Sequence, residues 1–319
     1  GSDKTGLSSA MGFDYSANPA SNLGTLINYD ATNGLTFEFA IPLIGILGQN
    51  SDKFFPIGEI FGLRFELTMD NFNNFIVAKT ANKVTSCVIS EVEFVGQVIE
   101  LSPEAQALIS AANPQTINIR SQSYRTATNF LSAGSNGQND VLCGIRVSSL
   151  KSMMIACSPS DAIEGKYASV NPNLGQGSCL VIGGTNYPQR TLNPSSHPAD
   201  CFMELQKCFG ALGTAVFNGC VNKSGYYSSS KANGLCRAYS KTYANGLASA
   251  NQFYLGLDVE TVARKGSLLS GLNCNSTPIF LRCPIDTALE AVTHTLYMFG
   301  YYDCILSIDR TTKNIVAEW

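Results

Sequence analysis

Apolar and polar residues alternate with a period of two along much of this chain, the signature of half-buried strands. "GLTFEFAIPLIGIL" places Leu35, Phe37, Phe39 and Ile41 on one face, and Pro42 ends the pairing or sets it at an edge. "IFGLRFELTM" predicts a strand with Ile60, Leu63, Phe65, Leu67 and Met69 inward and Arg64, Glu66 and Thr68 outward. "DNFNN" reads as a turn and "FIVAKT" as the returning strand. "VTSCVISEVEFVGQVIEL" reads as one long strand or two, bent at Gly96. The pattern continues through "TINIRSQSYRTATNFL", "NDVLCGIRVSSLKSMMIAC", "SCLVI", "QFYLGLDVE", "TPIFLRC", "HTLYMFGYYDCILSID" and "KNIVAEW". Between the last two strands, "IDRTTKNIV" supplies a hairpin turn.

Two segments switch to the helical period. In "SPEAQALISAA", Ser102 caps, Pro103 occupies the first helical position and Glu104 follows in the first turn. The second switch ends the stretch "GGTNYPQRTLNPSSHPADCFMELQKCFGALG", which opens as an irregular polar loop. Pro198 fits the first helical position, so His197 or Ser196 is the N-cap, and Asp200 meets the positive end of the helix dipole. Cys201, Phe202, Leu205, Cys208, Phe209 and Leu212 follow, within an arc of about 120° at about 100° per residue. The expectation is a capped helix lying flat on a sheet, where losing the His197 side chain costs about 1 kcal/mol. Strands dominate, the βαβ alternation of a parallel sheet is absent, and the fold class expected is all-β with connecting helices.

The same stretch holds the strongest catalytic lead, because Ser195, Ser196, His197 and Asp200 stand together. A Ser/His/Asp machine draws its groups from separate parts of a chain, since near neighbours rarely converge in the required geometry. The helix start explains these residues better. "GQGSCLVIGG" leads into a strand rather than a helix, which is the wrong order for a phosphate loop. "SAGSNGQ" does not fit the nucleophile elbow. His294 sits in a strand pattern as a half-buried histidine, and Glu91 and Glu93 share a strand face as solvated charges. No catalytic, cofactor-binding or metal-ligating residue is assigned, and a non-enzymatic binding or assembly protein is expected.

Composition narrows the setting. Charged residues make up 14% of the 319, against about 25% in an ordinary soluble domain. Much of the surface is therefore neutral and polar, which suits a protein packed against neighbours. The net charge of −3 and the lack of a basic stripe argue against a grip on nucleic acid. No apolar run reaches the length of a membrane helix, and the opening "GSDKTGLSS" does not read as a signal peptide. The eleven cysteines form no C-x-x-C and sit mostly in apolar surroundings, so they read as reduced core residues folded inside a cell.

A family resemblance follows from the order of several motifs. "FAIPLIGILGQNSDKFFPIGEIFGLRFELTMDN" resembles the middle of the double jelly-roll major capsid proteins of Polinton (Maverick) elements, Polinton-like viruses, adintoviruses and virophages. There a strand ends in "IPL", a "G-I-L-G" turn follows, then "FP" and a "G-L-R-x-E-L" strand. "KYASVNPNL…YPQRTLNPSSHPADCFMELQKCFGAL" is similar to that family's "Y-P" loop and "F-x-E-L-x-K" helix. "FYLGLDVETVARKGSLLSGLNCNSTPIFL" is similar to its strand-and-loop block.

The resemblance implies a double jelly roll, two antiparallel barrels side by side of about eight strands each. It implies a homotrimer with a pseudo-hexagonal outline, in contact with neighbouring capsomers and with penton and minor capsid proteins. It places the protein in a virion whose icosahedral shell, assembled inside the host cell, encloses double-stranded DNA. Residues 1–120 are then the remainder of the N-terminal jelly roll, its first strands expected to be missing, and residues 121–319 are the C-terminal one. Two other readings stay open. In a lectin-like β-sandwich module, Tyr226, Tyr227, Tyr239 and Tyr243 would stack on sugars. An all-β hydrolase would need His197.

Overall fold

The computed structural model of the chain describes residues 55–60, 62–69, 86, 88–159, 169–209, 221, 226–227, 253–260, 270–285 and 293–318. The strand expected over 35–41, the turn at 70–74 and the returning strand at 75–80 lie outside them. Among the described residues, helix α1 spans Pro103–Ala112 and nine strands follow. These are β1 (Thr116–Leu131), β2 (Gly137–Cys143), β3 (Leu150–Pro159), β4 (Ser178–Ile182) and β5 (Thr185–Leu192), then β6 (Tyr254–Asp258), β7 (Ile279–Ile285), β8 (His294–Asp309) and β9 (Ile315–Glu318). Helix α2 (Pro198–Cys208) lies between β5 and β6.

The pairing is nested. β4 and β5 form a hairpin. Outside that pair, β3 pairs with β6, β2 with β7, and β1 with β8, all antiparallel. The chain is thus one long ribbon doubled back at the β4–β5 turn. Further pairings, β3 with β8 and β4 with β7, roll the ribbon into two sheets ordered β1-β8-β3-β6 and β2-β7-β4-β5. β9 continues the row of β3 along the far end of β8. This interleaving of eight antiparallel strands is the jelly roll, and the all-β expectation holds.

One cluster of buried side chains draws on both sheets. Met153, Ile155, Leu255, Leu257, Leu296 and Met298 come from the first, and Val141, Leu180, Ile279, Leu281 and Cys283 from the second. These are alternate residues of their strands, so the period of two read from the sequence is the period of burial. A smaller cluster of Ile60, Ile119, Leu306 and Ile308 seats residues 55–60 against the other end of β1 and β8.

Three expectations are corrected. Residues 62–69 and 88–101 form no ladder, and the intended core residues Leu63, Phe65, Leu67 and Met69 are exposed, as is Val95. Alternation assigns faces, but a strand forms only when another strand takes its N–H and C=O groups. Among the described residues none does. The second run also breaks at Glu91, which sits at φ 54, rather than bending at Gly96. Conversely, part of the polar stretch before α2 is strand β5. Gly183 and Gly184, at φ 59 and 83, supply the left-handed conformations of a tight hairpin turn. Pro188 sits inside β5, which is tolerated because β5 is an edge strand.

Candidate functional site

Helix α2 and the loop before it carry the residues singled out from the sequence. The main chain of Asn193 accepts from His197 N at 2.8 Å, and Asn193 Oδ1 accepts from Ser196 N at 3.0 Å. His197 is the N-cap residue, and Pro198 opens the helix as expected. His197 makes no side-chain capping bond, however. That correction has a local cause: Asn193 already turns the chain into the helix. Ser195 Oγ donates to the Leu174 carbonyl at 2.7 Å and accepts from Asn171 Nδ2 at 3.2 Å. Asp200 faces Arg190 at 3.5 Å on the open surface, where an ion pair contributes little. The structure therefore gives Ser195 and Asp200 other partners and assembles no triad from them.

The apolar side of α2 packs on β6. Cys201 and Leu205 are fully buried, while Phe202, Cys208 and Phe209 are half-buried; Leu212 lies outside the described residues. Gly256 of β6 makes the approach possible. A Cβ there would lie 2.6 Å from Leu205 Cα and 3.1 Å from Cys208 Sγ. Phe202, Tyr226 and Phe253 form an aromatic row with centroid separations of 5.2 and 5.8 Å. Tyr226 is fully buried in this row, and Tyr227 packs against the same core, so neither is a sugar-stacking platform. Tyr239 and Tyr243 lie outside the described residues.

Sequence reasoning missed a buried charged network on the outward face of the first sheet. Lys151 of β3 and Asp303 of β8 are 6% and 2% exposed. The Lys151 ammonium lies 2.9 Å from Glu260 Oε1 and 3.4 Å from Asp303 Oδ1. Ser149 Oγ donates to Asp303 Oδ2 at 2.8 Å, and Gln122 Nε2 donates to Oδ1 at 3.3 Å. Tyr301 donates to Gln122 Oε1, and Ser270 to Glu260 Oε1. Burial, with Tyr124, Asp303 and Glu260 nearby, pushes the Tyr301 phenol well above its ordinary pKa, so it stays a neutral donor. The cover is the segment from Ser270 to Leu272. Gly271 N donates to Ser149 Oγ at 3.1 Å, and a Cβ at Gly271 would come within 2.5 Å of the Ser149 main chain.

Lys151 reaches this position because the register of β3 on β8 slips between Leu150 and Ser152. Such a bulge re-aims one side chain out of the alternation. The sequence signals were single charges inside apolar strands, Lys151 in "SLKSMMIAC" and Asp303 in "YYDCILSID".

The cysteines behave as core residues. Eight are described and all are free thiols, seven of them buried. Burial raises the thiols of Cys143 and Cys157 to about 12, leaving them protonated and unreactive. His294 is buried at the start of β8, as a strand histidine. Among the described residues no group of three His, Cys, Asp or Glu side chains is placed to hold a metal ion, and no helix is long and apolar enough to cross a membrane.

The fold and these side chains define a jelly-roll sandwich with a stapled helix and a buried ion network. No family model and no curated protein matches the chain. Among solved structures it is similar to PBCV-1 VP54, in a crystal structure fitted into a reconstruction of the virophage Sputnik, at 7% identity and a TM-score of 0.37 over 69% of this chain and 55% of that one. It is similar to the Faustovirus major capsid protein at 9% identity and a TM-score of 0.36, covering 64% of this chain and 36% of that one. For the mavirus major capsid protein the identity is 8% and the TM-score 0.31, over 64% of this chain and 42% of that one. The chain thus spans about half or less of the length of these proteins.

Proposed function

We propose that this chain is a structural major capsid protein, which trimerises into pseudo-hexagonal capsomers and assembles into an icosahedral shell around a double-stranded DNA genome. The observation that carries the reading is the nested pairing centred on the β4–β5 turn, which makes residues 116–309 one jelly roll. The capsid-type motif order of the sequence supports it, and so do the few surface charges. On this reading residues 1–120 contribute to a first barrel and residues 121–319 to a second, although β1 begins at Thr116, just before that boundary. The partners are two further copies, neighbouring capsomers, and penton and minor capsid proteins, all within the virion. Nucleic acid is enclosed without sequence-specific contact, in keeping with the net charge of −3.

Of the four tyrosines of the lectin alternative, Tyr226 is core and Tyr227 packs against it. Light scattering on the purified protein, followed by electron microscopy at high concentration, tests the capsid reading. Trimers that tile into sheets or shells are expected. A strictly monomeric species that forms no lattice at any concentration overturns it.

A further inference from the structure

We propose that Lys151 and Asp303 join in an intramolecular isopeptide bond, with Glu260 carrying the proton. The network on the outward face of the first sheet has the composition and placement this condensation needs. One amine and two carboxyl groups are held together beneath the Ser270–Leu272 cover, the amine 2.9 Å from Glu260 and 3.4 Å from Asp303. The bulge between Leu150 and Ser152 turns Lys151 toward the neighbouring strand rather than toward solvent.

The reaction starts from a free amine and two carboxylic acids. An ammonium, a carboxylate and a carboxylic acid hold the same number of protons as a free amine and two carboxylic acids. The two arrangements therefore differ only in where one proton sits, and Glu260 is the carboxyl group nearest the amine.

The atoms balance without an added reagent. The free Lys151 amine attacks the protonated carboxyl carbon of Asp303. Ser149 donates to Oδ2 at 2.8 Å, where the oxyanion develops, and Gln122 steadies Oδ1. Protonated Glu260 gives its proton to the departing Oδ1 hydroxyl and takes one back from the attacking nitrogen. The C–O bond breaks, the C–N bond forms, one water leaves, and Glu260 ends as it began. Nothing is oxidised or reduced. The product ties β3 covalently to β8 in the middle of the first sheet.

Intact-mass spectrometry of the full, natively purified chain, followed by peptide mapping, decides this. The expected result is a mass lower than that of the sequence by one water, with one branched species joining the peptides of Lys151 and Asp303. Glu260→Gln and Lys151→Arg should each restore the full mass, with circular dichroism confirming that both variants fold. A folded wild-type protein of full mass, with Lys151 and Asp303 in separate unmodified peptides, overturns the proposal, and that measurement needs no variant. A branch to Glu260 instead of Asp303 overturns the choice of acyl donor. Undiminished cross-linking in Glu260→Gln overturns the proton-carrying role.

Discussion

Gly256→Ala tests how α2 is held. Gly256 does not have a left-handed backbone, so conformation alone makes alanine the better residue, stabilising by about 0.4–1 kcal/mol through the unfolded chain. Space argues the reverse. The added methyl would lie 2.6 Å from Leu205 Cα and 2.8 Å from Leu205 Cδ1. The side-chain carbon can rotate away, but the Cα is helix backbone and cannot. Either β6 shifts within its pairing with β3, or α2 lifts and uncovers the fully buried Leu205 and Cys201. Overpacking of this kind costs about 1–3 kcal/mol. Exposing Leu205 alone forfeits about 1.5–3 kcal/mol. We expect a net loss of about 2 kcal/mol, measured by urea unfolding followed by circular dichroism with an unchanged slope. A second variant locates the clash. In a Leu205→Ala background the Cα remains, so Gly256→Ala should still destabilise. A gain in stability, or a change within about 0.5 kcal/mol, would refute the idea that close approach decides this position.

Three shorter predictions follow from the same geometry. His197→Ala should change stability by less than about 0.5 kcal/mol, because the imidazole makes no capping bond; a loss of a full cap in the same unfolding assay would contradict this. Arg310→Lys should loosen residues 55–60 and α1 and cost about 1–2 kcal/mol. The guanidinium grips Glu59 with two donors at 2.9 and 3.3 Å and also reaches Ser110 and Asn113, a fork an ammonium cannot copy. Hydrogen exchange should quicken in those peptides while β3 and β8 stay protected, and uniform protection would count against the clamp. Asp258→Asn should become more favourable as pH rises. Burial, reinforced by Glu260 and Glu204, raises the Asp258 pKa, so its carboxyl stabilises most below the ordinary aspartate range of about 4 and loses that contribution as pH climbs through the raised value. Asparagine keeps the acceptor for Glu260 N, and a stability difference that stays flat with pH would refute the assignment.

The sequence reading succeeded where a residue's neighbours along the chain determine its surroundings. Alternation located β1, β7 and β8, and capping grammar set the start of both helices, down to Ser102 accepting from Ala105 N. It failed where the partner comes from elsewhere. β5 carries little apolar signal because it is an edge strand with only Leu192 buried, and its existence depends on the turn at Gly183 and Gly184. Residues 62–69 have the right alternation, yet no described strand pairs with them.

The buried network marks the same limit more sharply. Asp303 falls on the outward phase of β8, where alternation assigns an ordinary surface charge. Three consecutive buried residues, Tyr302, Asp303 and Cys304, mark where the phase fails. What buries Asp303 is the segment at Ser270 to Leu272, together with Glu260 just beyond β6, both delivered by the nested topology rather than by local sequence. In a chain with so few charges, burying Lys151 and Asp303 beside the half-buried Glu260 is hard to justify by stability alone, because well-packed apolar residues in place of a buried ion pair often serve as well. An amide between Lys151 and Asp303 removes that difficulty. It replaces two buried charges with one neutral group and makes the lock irreversible, which a salt bridge cannot supply.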